Sequence, residues 1–209
     1  MNPILIRLLV IAVALIVWFQ TQKLIAARAG SGKRIGDGVH WLTRRLHHYF
    51  ATHKRAADRA LIGSSFCIDV LGLSLIALSV FASSFAPFIA MMIVFTMRQI
   101  SQMCCTLPAP PRMIWRDPGF PTALVTYKVG NDFFFSGHTA LAVLGAIEIC
   151  RIAPWWLGAI AILIAIGEAS IVLILRAHYT MDVITGALAA WLAADLAESM
   201  VSHADHWFR

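Results

Sequence analysis

Long apolar runs separated by short polar breaks organise this chain. Windows of roughly 17 to 25 apolar residues, the length that crosses a hydrocarbon layer of about 30 Å, fall at residues 4 to 20, 61 to 82, 86 to 106, 136 to 152, 155 to 176 and 180 to 200. No period-two alternation runs through them, and lipid offers no partners to backbone N–H and C=O groups, so the pattern predicts helices rather than a barrel. The expected fold class is all-α, a multi-pass membrane bundle of about six transmembrane helices. Residues 1–60 divide from it as one span plus a basic interfacial segment, and residues 61–209 form the catalytic bundle.

The polar stretch between the first two windows changes this picture of pure grease. From Val39 onward, Val39, Leu42, Leu46 and Phe50 recur at helical spacing while arginines and histidines fill the other face. That is the pattern of a helix lying on an anionic lipid surface, and equally of a solvated basic loop. The run "AARAG" at residues 26–30 also has the small-x-small form of a signal-peptide cleavage site.

Composition agrees with the membrane reading: 59% of the 209 residues are hydrophobic and 13% charged, too apolar for a soluble core. Charge then orients the bundle. The polar stretch carries nine Lys and Arg side chains, and Arg98, Arg112, Arg116, Lys128 and Arg176 join them on one face, leaving Arg7, Arg151 and Arg209 opposite. By the positive-inside bias that face is cytoplasmic. No nucleic-acid motif accompanies the net charge of +6, so its expected partner is an anionic membrane surface. The four cysteines, Cys67, Cys104, Cys105 and Cys150, have no zinc or disulfide spacing and are expected to pack.

Three polar segments reach the basic face at helix ends. In "RQISQMCCTLPAP", Arg98 lies near the end of the third span, and the prolines of Leu107-Pro108-Ala109-Pro110 stop the helix. In "NDFFFSGHTA", Asp132 precedes Ser136, which is placed to cap the fourth span, and His138 falls in that span's first turn, where free N–H groups favour an anion. In "RAHYTMDVITG", His178 and Asp182 are four apart and share a helix face, so the carboxylate can fix the imidazole tautomer and raise its basicity. Either histidine alone reads most simply as a satisfied interfacial residue. Two histidines, a carboxylate, Arg98 and Arg176 together form a site for a phosphate group flanked by an acid and a nucleophile.

On these motifs the chain resembles the sphingomyelin synthase and phosphatidylcholine:diacylglycerol cholinephosphotransferase branch of the type 2 phosphatidic acid phosphatase superfamily. The elements are Arg98 followed by Leu107–Pro110, Asp132 with Phe135 to Thr139, and His178 to Asp182, and the resemblance covers about residues 90 to 200. It departs at Asn131, where a synthase usually has Gly, and Arg176 before the third element is more like the plant cholinephosphotransferases. The superfamily's phosphatases carry an Arg-Pro dipeptide and an Arg six residues before the third-element histidine; this chain has no Arg-Pro and has Val172 there.

The resemblance implies that His178, oriented by Asp182, attacks the phosphorus of a donor phospholipid and holds the headgroup as a phosphohistidine. His138 protonates the departing oxygen and then deprotonates an acceptor hydroxyl. Arg98 and Arg176 would stabilise the phosphoryl oxygens, with Asp132, Ser136 and Tyr179 as further substrate contacts. The scheme requires no metal or other cofactor, and its partners are a phospholipid donor and a lipid acceptor, ceramide or diacylglycerol. The resemblance also implies a site facing the lumen or exterior, against the charge count. The membrane would be a bacterial inner membrane, or that of the endoplasmic reticulum or Golgi.

Glu148 and Glu168 stand ten residues beyond His138 and ten before His178, about 15 Å below the catalytic layer, with Asp69 at similar depth. Buried membrane acids line polar cavities or pair, so a chamber is expected where they meet each other, water or an amine-bearing headgroup. Three functions follow: a transferase of phosphocholine or phosphoethanolamine between lipids, a lipid phosphate phosphatase with water as acceptor, and a non-catalytic lipid-binding protein.

Overall fold

The computed structural model describes residues 3–26, 35–82, 84–125, 127 and 133–208, and the side chains of residues 4–24 and up to 201 at the two ends. Eight helices and no strand occur among them: α1 (Pro3–Ala26), α2 (Gly38–Leu42), α3 (Arg44–Thr52), α4 (Lys54–Phe81), α5 (Ala86–Cys104), α6 (Gly137–Ile152), α7 (Trp155–Ile174) and α8 (Thr180–Phe208). Each of the six apolar windows is therefore a helix. Four are long and apolar enough to cross a membrane, over Ile4–Leu24, Lys54–Phe81, Trp155–Ile174 and Thr180–Val201. The 16 residues of α6 reach about 24 Å, short of a hydrocarbon layer of about 30 Å, and α5 ends in the polar run Arg98-Gln99-Ile100-Ser101-Gln102. The cleavage-site residues 27–30, Lys128, Asn131 and Asp132 lie outside the described residues.

Helix α6 is the hub, packing on α7, α8, α4 and α5, while α8 also packs along α5. Small residues make these approaches possible, as they must where lipid supplies no hydrophobic drive. Ala189, Ala190, Ala193, Ala194 and Ala197 of α8 and Ala140, Ala142 and Ala146 of α6 are buried. A Cβ at Gly186 would stand 2.7 Å from the Ser136 carbonyl oxygen, so only glycine lets α8 meet the start of α6 this closely. Large apolar side chains such as Leu9, Ile16, Phe66, Leu163 and Leu188 point outward, as in a bundle solvated by lipid.

Helix α1 lies against α5 and α4 with its ends fixed by polar side chains. Arg7 Nη1 donates to the carbonyls of Ser79, Val80 and Ala82 (3.3, 3.4 and 2.9 Å), satisfying acceptors that the end of α4 leaves open. At the other end Gln99 Nε2 reaches the Trp18 carbonyl and the Thr21 hydroxyl, and the rings of Trp18 and Phe95 stack at 4.6 Å.

The basic stretch corrects one expectation. It forms two short helices that break at Thr43, and the residues buried against the bundle are His40 and His47, from the face read as polar. Leu42 and Leu46, from the supposed apolar stripe, are exposed together with Trp41 and Tyr49. The histidines win the inward position because each finds a backbone carbonyl there. The cysteines also differ from expectation: Cys104, Cys105 and Cys150 are exposed and only Cys67 is partly buried.

Candidate functional site

Four segments converge where α5 ends and α6 and α8 begin. The Ser136 side chain caps α6, accepting from the Thr139 N–H at 3.3 Å and the Thr139 hydroxyl at 3.0 Å, as its place before an apolar run predicts. The Ser136 backbone N–H donates to the Asp182 carbonyl at 3.0 Å, which joins the start of α6 to the start of α8. Gly137 leaves room for Arg98, whose Nε would stand 3.2 Å from a Cβ at that position. Arg98 lies across this turn with Nε on the Phe135 carbonyl (2.9 Å) and Nη1 on the Gln22 side chain of α1 (3.3 Å).

A cavity of about 80 Å³ opens among these residues. Arg98, His138 and His178 line it, with Gln22 and the apolar Trp18, Phe95, Trp115 and Leu141. The geometry of His178 differs from expectation in two respects, the first being that it lies in the connection before α8 and so shares no helix face with Asp182. Its Nδ1 donates to the Phe133 carbonyl at 2.8 Å, whereas the Asp182 carboxylate stands 3.6 Å from the same nitrogen, beyond hydrogen-bond length. A carbonyl can only accept, so Nδ1 carries the proton and Nε2 of the neutral ring keeps its lone pair. Asp182, 1% exposed, instead accepts the Tyr179 backbone N–H at 2.9 Å and stands beside the ring.

His138 is held less tightly. Its Nε2 is buried with no hydrogen-bond partner among the described residues, and the Trp115 ring meets it edge-on at 5.0 Å. Trp115 belongs to the long segment after α5, which Arg116 ties to Asp58 of α4 at 2.7 Å. A lone tryptophan four residues beyond Pro111 carries no spacing that would have singled it out. Gln22 and Phe133 were equally silent, because a helix-end amide and a backbone carbonyl have no motif.

The remaining predicted residues lie elsewhere. Arg176 points away from the cavity, with Nη1 on the Pro111 carbonyl (3.1 Å) and Nη2 on the His40 carbonyl (3.4 Å), and its backbone is left-handed at φ 57°. The Ser136 hydroxyl is consumed by capping. The Tyr179 hydroxyl is buried away from the cavity without a partner among the described residues, and burial, then the charges of Asp182 and Asp37, push its pKa up. Asp132 lies outside the described residues.

The deep acids do not form one chamber, because each has its own partner. Glu148 pairs with Arg151 at 2.8 Å, and Arg151 also reaches Glu198 (3.3 Å) and Asp195 (3.9 Å) at the opposite end of the bundle. Glu168 accepts the Ser64 hydroxyl at 2.6 Å. Asp69 accepts the backbone N–H groups of Ala123 (2.9 Å) and Leu124 (2.8 Å), anchoring the segment above the cavity.

No curated protein and no solved structure matches the chain. A family model does, the one described as AtPDCT1/2, over residues 37–199, which begin at the basic stretch and take in every cavity-lining residue except those of α1. A helical membrane bundle that gathers two histidines and an arginine at one end, matched over most of its length, belongs to the AtPDCT1/2 family of phosphatidylcholine:diacylglycerol cholinephosphotransferases.

Proposed function

We propose that the chain transfers a phosphocholine or phosphoethanolamine headgroup from a glycerophospholipid to a lipid hydroxyl, that of diacylglycerol or ceramide, through a phosphohistidine on His178. The observation that carries this is the fixed tautomer of His178, whose Nδ1–H bond to Phe133 leaves Nε2 as a nucleophile in a cavity shared with Arg98 and His138. Nε2 attacks the donor phosphorus, the bond from phosphorus to the diacylglycerol oxygen breaks, and protonated His138 gives that oxygen its proton. Arg98 faces the charge gathering on the phosphoryl oxygens. An acceptor hydroxyl then loses its proton to His138 and attacks phosphorus, the P–N bond breaks, and both histidines return to their starting states. Asp182 balances the positive charge on the His178 ring.

Hydrolysis would use the same intermediate with water as acceptor. The apolar lining from Trp18, Phe95 and Leu141 favours a lipid hydroxyl over water, as does the absence of an Arg-Pro dipeptide from the sequence.

The test is a product assay on purified protein in liposomes holding headgroup-labelled phosphatidylcholine and phosphatidylethanolamine with diacylglycerol and ceramide. Label moving to an acceptor lipid, and lost in His178→Ala, is the expected result and names both substrates. Label appearing only in water-soluble phosphate esters would replace this reading with a hydrolase.

A further inference from the structure

His178 sits on a short connection between two helices that both pack on α6 and touch each other little. That connection includes Arg176 in a left-handed conformation that a non-glycine residue adopts only at some cost. The C-terminal turn of α7 holds part of it, with the Ala177 N–H on the Val172 carbonyl at 2.8 Å, and the strap of residues 37–47 holds it from outside at three points. Asp37 accepts the N–H groups of Val39 (2.9 Å) and His40 (3.2 Å), and the same carboxylate takes the Thr180 N–H at 2.6 Å and the Thr180 hydroxyl at 2.8 Å. His40 Nε2 donates to the carbonyl oxygen of His178 itself at 2.9 Å, with its ring over Tyr179. His47 Nδ1 donates to the Ile174 carbonyl at 2.9 Å.

These contacts bracket His178 on both sides. They also account for the inverted burial of the strap: His40 and His47 are 6% and 4% exposed while Leu42 is 73% exposed, so hydrogen bonds to this connection, rather than an apolar face, dock the strap.

We propose that Asp37 and His40 are positioning residues of the transfer reaction, which fix the backbone around His178 and so aim its Nε2 into the cavity. Neither lines the cavity. The inference rests on His178 being the nucleophile, and the strap acts on turnover rather than on donor affinity because it reaches only the far side of that residue.

The test uses the full chain in liposomes with labelled phosphatidylcholine as donor and diacylglycerol as acceptor. His40→Leu removes the donor to His178, whereas His40→Gln carries an amide N–H to nearly the same place. The expected result is a loss of about 10- to 100-fold in kcat for His40→Leu with donor KM changed less than about twofold, and recovery to within about threefold of the parent in His40→Gln. Equal losses in both variants, or a loss confined to KM, would overturn the proposal. Thr180→Val deletes a single hydrogen bond to Asp37, and a smaller loss in the same direction is expected even should His40→Leu fail to fold.

A second readout needs no turnover: the rate at which diethyl pyrocarbonate modifies His178, followed on its peptide by mass spectrometry. That rate changes several-fold in His40→Leu and returns in His40→Gln if the strap positions the ring, and an unchanged rate in folded His40→Leu overturns the idea. Should the parent protein transfer no headgroup, the functional reading fails while the modification rates still decide the strap.

Discussion

The turns that carry the two histidines are built differently. His178 has its ring nitrogen on Phe133, its carbonyl on His40 and its flanking residues on Asp37 and Asp182. His138 has a capped helix start beneath it and a tryptophan edge beside it, with its ring Nε2 unengaged among the described residues. A nucleophile benefits from one fixed trajectory, whereas an acid and base must exchange its proton between two substrate oxygens in turn. The difference in restraint matches the tasks proposed for the two rings.

The strongest way to break that comparison is to remove each ring. His178→Ala is expected to lower transfer by at least about 1,000-fold, since the proposed mechanism has no other nucleophile. His138→Ala should cost about 100- to 10,000-fold with a natural donor, the range of a lost general acid, and much less with a donor whose leaving group is a nitrophenolate. Steady-state rates on both donors check this; equal losses on the two donors would remove His138 from the acid's role.

Next in size is the joint between the turns. Gly186→Ala puts a methyl group against the Ser136 carbonyl and should cost about 1 to 3 kcal/mol of stability, read as a lower midpoint of thermal unfolding in detergent. An unchanged midpoint would mean that α6 and α8 separate without penalty.

Asp182→Asn sharpens the comparison. Where a carboxylate alone sets the tautomer of a catalytic histidine, the amide costs about 10,000-fold. Here Phe133 sets it, so a loss of about 10- to 100-fold in kcat is expected. A loss as large as that of His178→Ala would return the orienting role to Asp182.

Smaller still is the response to acid. Burial of His47, then the charges of Arg176, His40 and Arg112, hold its pKa below the usual 6.5, although its bond to Ile174 pulls the other way. The unfolded strap binds more protons than the folded one between that lowered value and 6.5, so docking weakens as pH falls below about 6.5. For Asp37, burial raises the pKa, but the hydrogen bonds from Thr180 and His40 together bring it below 3.8. Its contribution is complete above 3.8 and is lost as pH falls through the lowered value. Protection factors for amide exchange in residues 174–180, which discount the intrinsic slowing of exchange in acid, should therefore fall in two steps on acidification, and His47→Gln should remove only the upper one. Least of all, Glu148→Gln should leave turnover and donor choice unchanged, since its partner is Arg151 at the far end of the bundle. An altered headgroup preference would restore a deep chamber.

Helices at all six apolar windows, the Ser136 cap and the two histidine elements were legible in the sequence because each rests on a local rule. Period and length select a helix and an oxygen before an apolar run caps it, whereas the shared helix face expected of His178 and Asp182 is not what brings them together, because His178 lies before α8 begins at Thr180. Which carboxylates meet was not legible, because counting residues from a histidine fixes neither direction nor neighbour: Glu148 meets Arg151, Glu168 the Ser64 hydroxyl and Asp69 the backbone of Ala123 and Leu124. The inward face of the strap was hidden for a related reason: hydropathy ranks His40 and His47 as outward residues, and only the carbonyls at 178 and 174 reverse that order.

By itself, then, the sequence determined that this chain is a helical membrane protein with a histidine at the start of each of two helix-forming elements, through backbone hydrogen bonding in lipid and the chemistry of helix ends. Tertiary structure decided that Phe133 rather than Asp182 orients His178, that Arg98 lines the cavity and Arg176 does not, and that a strap from residues 37–47 holds the backbone around His178. Those outcomes depend on which carbonyl lies within hydrogen-bond reach of a given nitrogen, a distance set by how the helices pack and by no spacing along the chain.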